Sequence, residues 1–129
     1  VFLGAPEVKH LAWSDEIGGW ELYDKSKHSR ASVKFRANVI DISEHGAQGP
    51  AQILEFGPAL MKDFERQRHK FPMSEWAYEI SREGTGLSTK WSATLDKRID
   101  DVAGLRQHMK TVELHDIAET WPVAEAVPF

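Results

Sequence analysis

Histidine is the first residue type to test for metal or acid–base chemistry. The six here, His10, His28, His45, His69, His108 and His115, form neither His-x-x-x-His nor His-Glu-x-x-His. His108 and His115 have no carboxylate spaced to complete a ligand set, so packed or solvated histidines are the expected reading. Nucleophile motifs are equally missing: the sequence has no Gly-x-Ser-x-Gly, no Walker loop and no cysteine. Asp15-Glu16 and Asp100-Asp101 read as a turn and a helix cap rather than as paired catalytic carboxylates. Neither enzyme, metal nor cofactor chemistry is expected.

Charge and stacking chemistry remain. From Lys25 to Arg36 the chain carries Lys25, Lys27, Arg30, Lys34 and Arg36 without an acid, although the whole sequence has a net charge of -4. Clustered cations of this kind can track a phosphate backbone, but a solvated strand face is the plainer reading and an ordinary soluble enzyme can be just as uneven, so composition alone does not decide. Five tryptophans and two tyrosines exceed what a small core holds easily, so some of Trp13, Trp20, Tyr23, Trp76, Tyr78 and Trp91 should be exposed and free to stack on bases. Trp20 and Tyr23 border the basic stretch and are the preferred stacking candidates, with Trp91 as a third. Trp76 and Tyr78 alternate with Ile80 on one strand face and are read as packing residues.

The elements that must position these residues are legible from hydrophobic period. Phe2-Leu3 and Val8 to Trp13 read as one opening strand bent at Gly4-Ala5-Pro6, because proline cannot join a central ladder. Ser14 to Gly19 is a turn, Trp20 to Tyr23 resumes a strand, and Asp24 to Ser32 is a polar loop. Val33, Phe35, Ala37 and Val39 alternate with Lys34, Arg36 and Asn38, which places Lys34 and Arg36 on the face away from the core, both expected in solvent. Glu44 to Pro50 is a turn, and Gln52 to Phe56 is a strand stopped by Gly57-Pro58. A helix follows with Leu60, Met61 and Phe64 on one face and Lys62, Asp63 and Glu65 left for solvent. Trp76 to Ser81 and Leu87 to Leu95 then form a hairpin around Glu83-Gly84-Thr85-Gly86. Beyond it Val102, Leu105, Met109 and Val112 recur at helical spacing behind Asp100-Asp101, and Leu114, Ile117 and Trp121 make a second short stripe ended by Pro122.

Two phrases in this order, Ile53 to Leu60 (ILEFGPAL) and Arg82 to Trp91 (REGTGLSTKW), resemble the single-stranded-DNA-binding proteins of tailed bacteriophages. In that family a Leu-Glu-Phe-Gly phrase ends a strand and opens a helix, and an Arg-x-Gly-x-Gly-Leu-x-Thr hairpin closes an oligonucleotide/oligosaccharide-binding (OB) barrel. The resemblance extends more weakly to Val1-Phe2-Leu3-Gly4 and to Lys34–Asp41, covering about the first three quarters of the chain. Many relatives carry a cysteine cluster that looks like a zinc site, and this chain departs from them in having no cysteine.

The resemblance implies a mainly β fold with helices: a five-stranded OB barrel over residues 1–95 with its helix between strands three and four, and a helical extension over 96–129 packed on the same domain. It implies single-stranded DNA binding with little sequence preference, in support of phage replication, recombination or repair in the cytoplasm of a bacterial host. The binding set would be Lys25, Lys27, Arg30, Lys34, Arg36, Arg82 and Lys90 for phosphates, with Trp20, Tyr23 and Trp91 for bases. The alternative is an assembly or interaction subunit that keeps the barrel without binding nucleic acid. Homo-oligomers stay open, no membrane partner is expected, and the absence of cysteine fits a reducing compartment. Trp121 to Phe129 (WPVAEAVPF) ends in an aromatic residue like the tails of bacterial single-stranded-DNA-binding proteins, which enter a pocket on replication and recombination proteins. With Glu125 as its only acid, this tail is expected to pack on its own barrel or on a neighbouring copy.

Overall fold

The alternation of Val33, Phe35, Ala37 and Val39 with polar residues produces β3 (Ser32–Val39), the strand on which the rest of the main sheet is laid. It pairs on one side with β1 (Glu7–Ser14) and on the other with β4 (Gln52–Phe56), and β1 pairs in turn with β2 (Gly19–Leu22). The result is a curled antiparallel sheet of order β2-β1-β3-β4. The computed structural model describes residues 1–86 and 89–122, leaving aside the side chain of His45.

The bent first strand is present. Phe2 bridges Val39 and the Leu3 N–H donates to the Asn38 carbonyl (2.9 Å), after which β1 rejoins β3 at the Glu7–Arg36 pair. Residues 4–6 therefore bulge between two stretches paired to the same strand, where Pro6 has no ladder bond to forfeit. The turn into β2 uses Gly18 at φ +64°, a conformation that glycine reaches without steric cost. Between β3 and β4 the expected turn contains one turn of helix, α1 (Ile42–His45), followed by a 3-10 turn (Gly46–Gln48).

Gly57 caps and Pro58 opens α2 (Pro58–Gln67), which buries Leu60 and Phe64 against the inner face of the sheet. Asp63, expected in solvent, is instead half-buried and accepts the Ala93 N–H at 2.9 Å, tying the helix to the hairpin that follows. That hairpin is β5 (Trp76–Glu83) and β6 (Lys90–Arg98), with a bulge at Ala77/Tyr78. Leu87 and Ser88 of the expected second hairpin strand lie outside the described residues. Phe64 is fully buried and sits edge-on to Phe2, Phe56 and Tyr78 at centroid distances of 5.0, 5.4 and 5.4 Å.

Past the hairpin, the Asp101 side chain accepts the Gly104 N–H (2.8 Å) and starts α3 (Val102–Thr111), whose Leu105 packs with Ile40, Ala77 and Ile99. A last turn, α4 (Ile117–Thr120), sets Ile117 and Trp121 against Leu11, while Leu114 of the same expected stripe stays exposed. The fold is thus mainly β with helices. The described residues make six strands in two sheets, not five in one barrel, because residues 19–22 form a separate strand and no ladder joins β4 to the hairpin.

Candidate nucleic-acid interface

Cross-strand partners in an antiparallel ladder point to the same side, so the register assigns a face to every residue of the main sheet. Phe35, Ala37, Leu54 and Phe56 share the inner face, which α2 covers. Lys9, Leu11 and Trp13 of β1, Trp20 and Leu22 of β2, and Lys34, Arg36 and Asn38 of β3 share the outer one. Trp13 and Trp20 are direct partners there, 54% and 41% exposed, with their rings edge to face at 5.6 Å. The Trp13 indole N–H donates to Asp15 Oδ1 (3.1 Å), and Lys34 Nζ lies 5.4 Å from the centre of the Trp20 ring. Two solvated aromatic surfaces beside a cation can stack bases and neutralise a phosphate at once. Lys9, the ladder partner of Lys34, is exposed on the same face.

Arg36 does not stand in solvent as expected. Its Nε donates to Glu55 Oε2 (2.7 Å), its Nη1 donates to the Thr120 carbonyl (2.6 Å), and its guanidinium lies 4.2 Å from the centre of the Trp121 ring. Asn38, two residues along, both donates to the His115 carbonyl (3.0 Å) and accepts the His115 N–H (2.9 Å). The outer face is therefore divided. The part that carries Trp13 and Trp20 is open, and the part around Leu11, Leu22, Arg36 and Asn38 is covered by residues 115–121, with Arg36 as the fastening cation. Alternation correctly assigns Arg36 to the outer face but carries no information on what packs there.

Tyr23 also departs from expectation. It follows Trp20 by an odd number of residues, so the strand period turns it to the opposite side, where it is half-buried with its ring 5.9 Å from that of His28. Lys25, Lys27 and Arg30 are exposed in the loop after β2, as expected of that loop. The loop is pinned by Asp24, which accepts the Ser26 hydroxyl (2.8 Å) and the Ser26 N–H (2.9 Å). His28 closes it with a 2.6 Å contact from Nε2 to Glu21 Oε1.

Hydrogen bonds from the Ser26 hydroxyl, then from its N–H, hold the Asp24 carboxyl below the ordinary aspartate range, with Lys27 and His28 adding to the effect. Because the folded value is depressed, the loop contact is intact above the unfolded aspartate pKa and is lost as pH falls through the folded one. We expect the Ser26 amide resonance to move in a single acid titration centred below the ordinary aspartate value; a midpoint at or above it would show that the turn does not form in solution.

Arg82 and Trp91 face each other across the far hairpin, the guanidinium 5.9 Å from the ring centre, and both are exposed. Lys90 is the cross-strand partner of Glu83 and projects from the opposite side of that ribbon. The predicted set thus separates into the Trp20–Lys34 surface with its basic loop, the Arg82–Trp91 pair, the committed Arg36, the half-buried Tyr23, and Lys90, exposed on the other side of the hairpin. Trp13, a candidate for exposure but not a preferred stacker, joins the first surface together with Lys9, which was not expected there although the alternation of Lys9, Leu11 and Trp13 contained the signal.

No protein-family model, curated protein or solved structure matches this chain. Among the described residues, no group of three or more His, Asp or Glu side chains comes together to hold a metal ion, and no helix is long and apolar enough to cross a membrane.

Proposed function

We propose that this protein binds single-stranded nucleic acid, DNA in the first instance, with little sequence preference, through the open end of its outer sheet face. The observation that carries the reading is the solvent-exposed Trp13–Trp20 pair with Lys34 over one ring. Stacking tolerates any base because every base has a π-face, and the loop cations Lys25, Lys27 and Arg30 supply the phosphate contacts that lack sequence information. The Arg82–Trp91 pair is a second contact point for a longer strand. The order β1, β3, β4, α2, β5, β6 supports an OB-type barrel with β2 added at its rim. With the resemblance to phage proteins, it supports a role in replication, recombination or repair in a bacterial host cell. A contribution of the tail to partner binding concerns Val123 to Phe129, which lie outside the described residues.

The test is titration with single- and double-stranded oligonucleotides at several salt concentrations. Lys34→Glu should weaken single-strand binding alike for every sequence and flatten the log–log salt dependence by roughly 0.7 for one lost phosphate contact. Unchanged affinity would remove this face from the binding site. Arg36→Glu is not an equivalent test, since it would set a carboxylate beside Glu55 and release Thr120. The second reading, an interaction subunit that does not bind nucleic acid, is favoured by the coverage of Leu11, Arg36 and Asn38 on the outer face by residues 115–121. It stands if neither oligonucleotide binds.

A further inference from the structure

The main sheet stops at β4 and the hairpin stops at β5. Among the described residues, each of these strands is paired along one edge and joins no ladder along the other. Residues of both edge strands, Ile53 and Leu54 of β4 and Ala77 and Ile80 of β5, line one cavity of about 570 Å³. An unpaired strand edge offers its N–H and C=O groups to any extended chain that reaches it, and here two such edges flank a largely apolar floor. The lining includes Asp41, Glu79 and Asp96 and no Lys or Arg. Asp41 caps α1 through Ser43 (3.0 Å to its N–H), whereas Glu79 and Asp96 are exposed and form no ion pair with a described residue.

We propose that this seam is a docking site for an extended peptide strand that adds between β4 and β5, with apolar side chains at alternate positions and a Lys or Arg directed at Glu79 and Asp96. Backbone pairing on one or both sides supplies affinity, the apolar floor selects the alternate side chains, and the unpaired carboxylates select charge. The same carboxylates repel phosphate, so the seam is distinct from the outer face, and the inference does not rest on nucleic-acid binding.

The probe is a library of random short peptides selected on the full chain, with the enriched sequences measured by fluorescence anisotropy. Enriched peptides should alternate apolar with polar residues and carry Lys or Arg. N-methylation of their backbone at alternate residues should abolish binding. The E79K/D96K variant changes two exposed side chains and should keep its thermal unfolding transition while binding the peptides about tenfold more weakly. Three results would overturn the proposal. One is that no peptide is enriched over background. Another is enriched peptides that tolerate both N-methylation and charge reversal. The third is a self-associated chain in sedimentation that Ile53→Arg dissociates, which would assign the seam to a second copy.

Discussion

Phe64→Ala should lower the free energy of unfolding by about 3–5 kcal/mol, the range for a buried aromatic truncated to a methyl group. Phe64 has no exposed surface and contacts three other rings, so its removal leaves a void bordered by Phe2 from the bent first strand, Phe56 from the sheet and Tyr78 from the hairpin. These neighbours belong to separate elements anchored by their own backbone pairing, which limits how far they can close the space. A small domain has about 5–15 kcal/mol in total, so the variant should be marginal at physiological temperature. Urea unfolding followed by circular dichroism measures the loss. Phe71, half-buried at the rim with its ring 4.8 Å from Trp76, is the control and should cost clearly less as Phe71→Ala. Equal losses at the two positions would show that α2 is not the centre of the core.

The second large effect concerns ligand. Replacing either Trp13 or Trp20 by alanine should cost about 1–3 kcal/mol of single-strand binding, or roughly fivefold to 150-fold in Kd. The two rings touch, so the double variant should deviate from the sum of the single losses. Trp20→Phe keeps a stacking surface and should recover part of the affinity. Trp121→Phe is the internal comparison: that ring is buried under the Arg36 contact and should have little effect on the fluorescence change caused by DNA. A Trp13/Trp20 double variant that binds oligonucleotide as tightly as the parent would defeat the stacking mechanism, whatever its salt dependence.

Much of this architecture was written in local pattern. The alternation around Phe35 is enough to make β3 and to choose its buried face, because a slip of one residue would turn Phe35 and Ala37 to solvent. Gly57-Pro58 with Leu60 and Phe64 is enough to start α2 and orient it, since the missing N–H of proline costs nothing in a first turn. The interruption at Gly4-Ala5-Pro6 likewise announced a bulge, and Asp101 announced the start of α3. In each case the deciding interaction lies within a few residues along the chain.

What the sequence did not contain is which distant surfaces meet. Lys34 and Arg36 have the same residue class, the same strand and the same face, yet one rests over Trp20 and the other fastens Thr120 and Trp121, more than eighty residues further along. The selection of Trp13 over Tyr23 as a partner for Trp20 follows from the β1–β2 register, which a turn of unknown geometry leaves unspecified. The open edges of β4 and β5 depend on how far the sheet curls before the hairpin docks, a global property to which many weak contacts contribute. Sequence by itself therefore determined the elements and their buried faces through short-range sterics and the hydrophobic period. The tertiary structure alone decided which cations remain available and where the strand edges stay open, because those depend on long-range packing that no local period encodes.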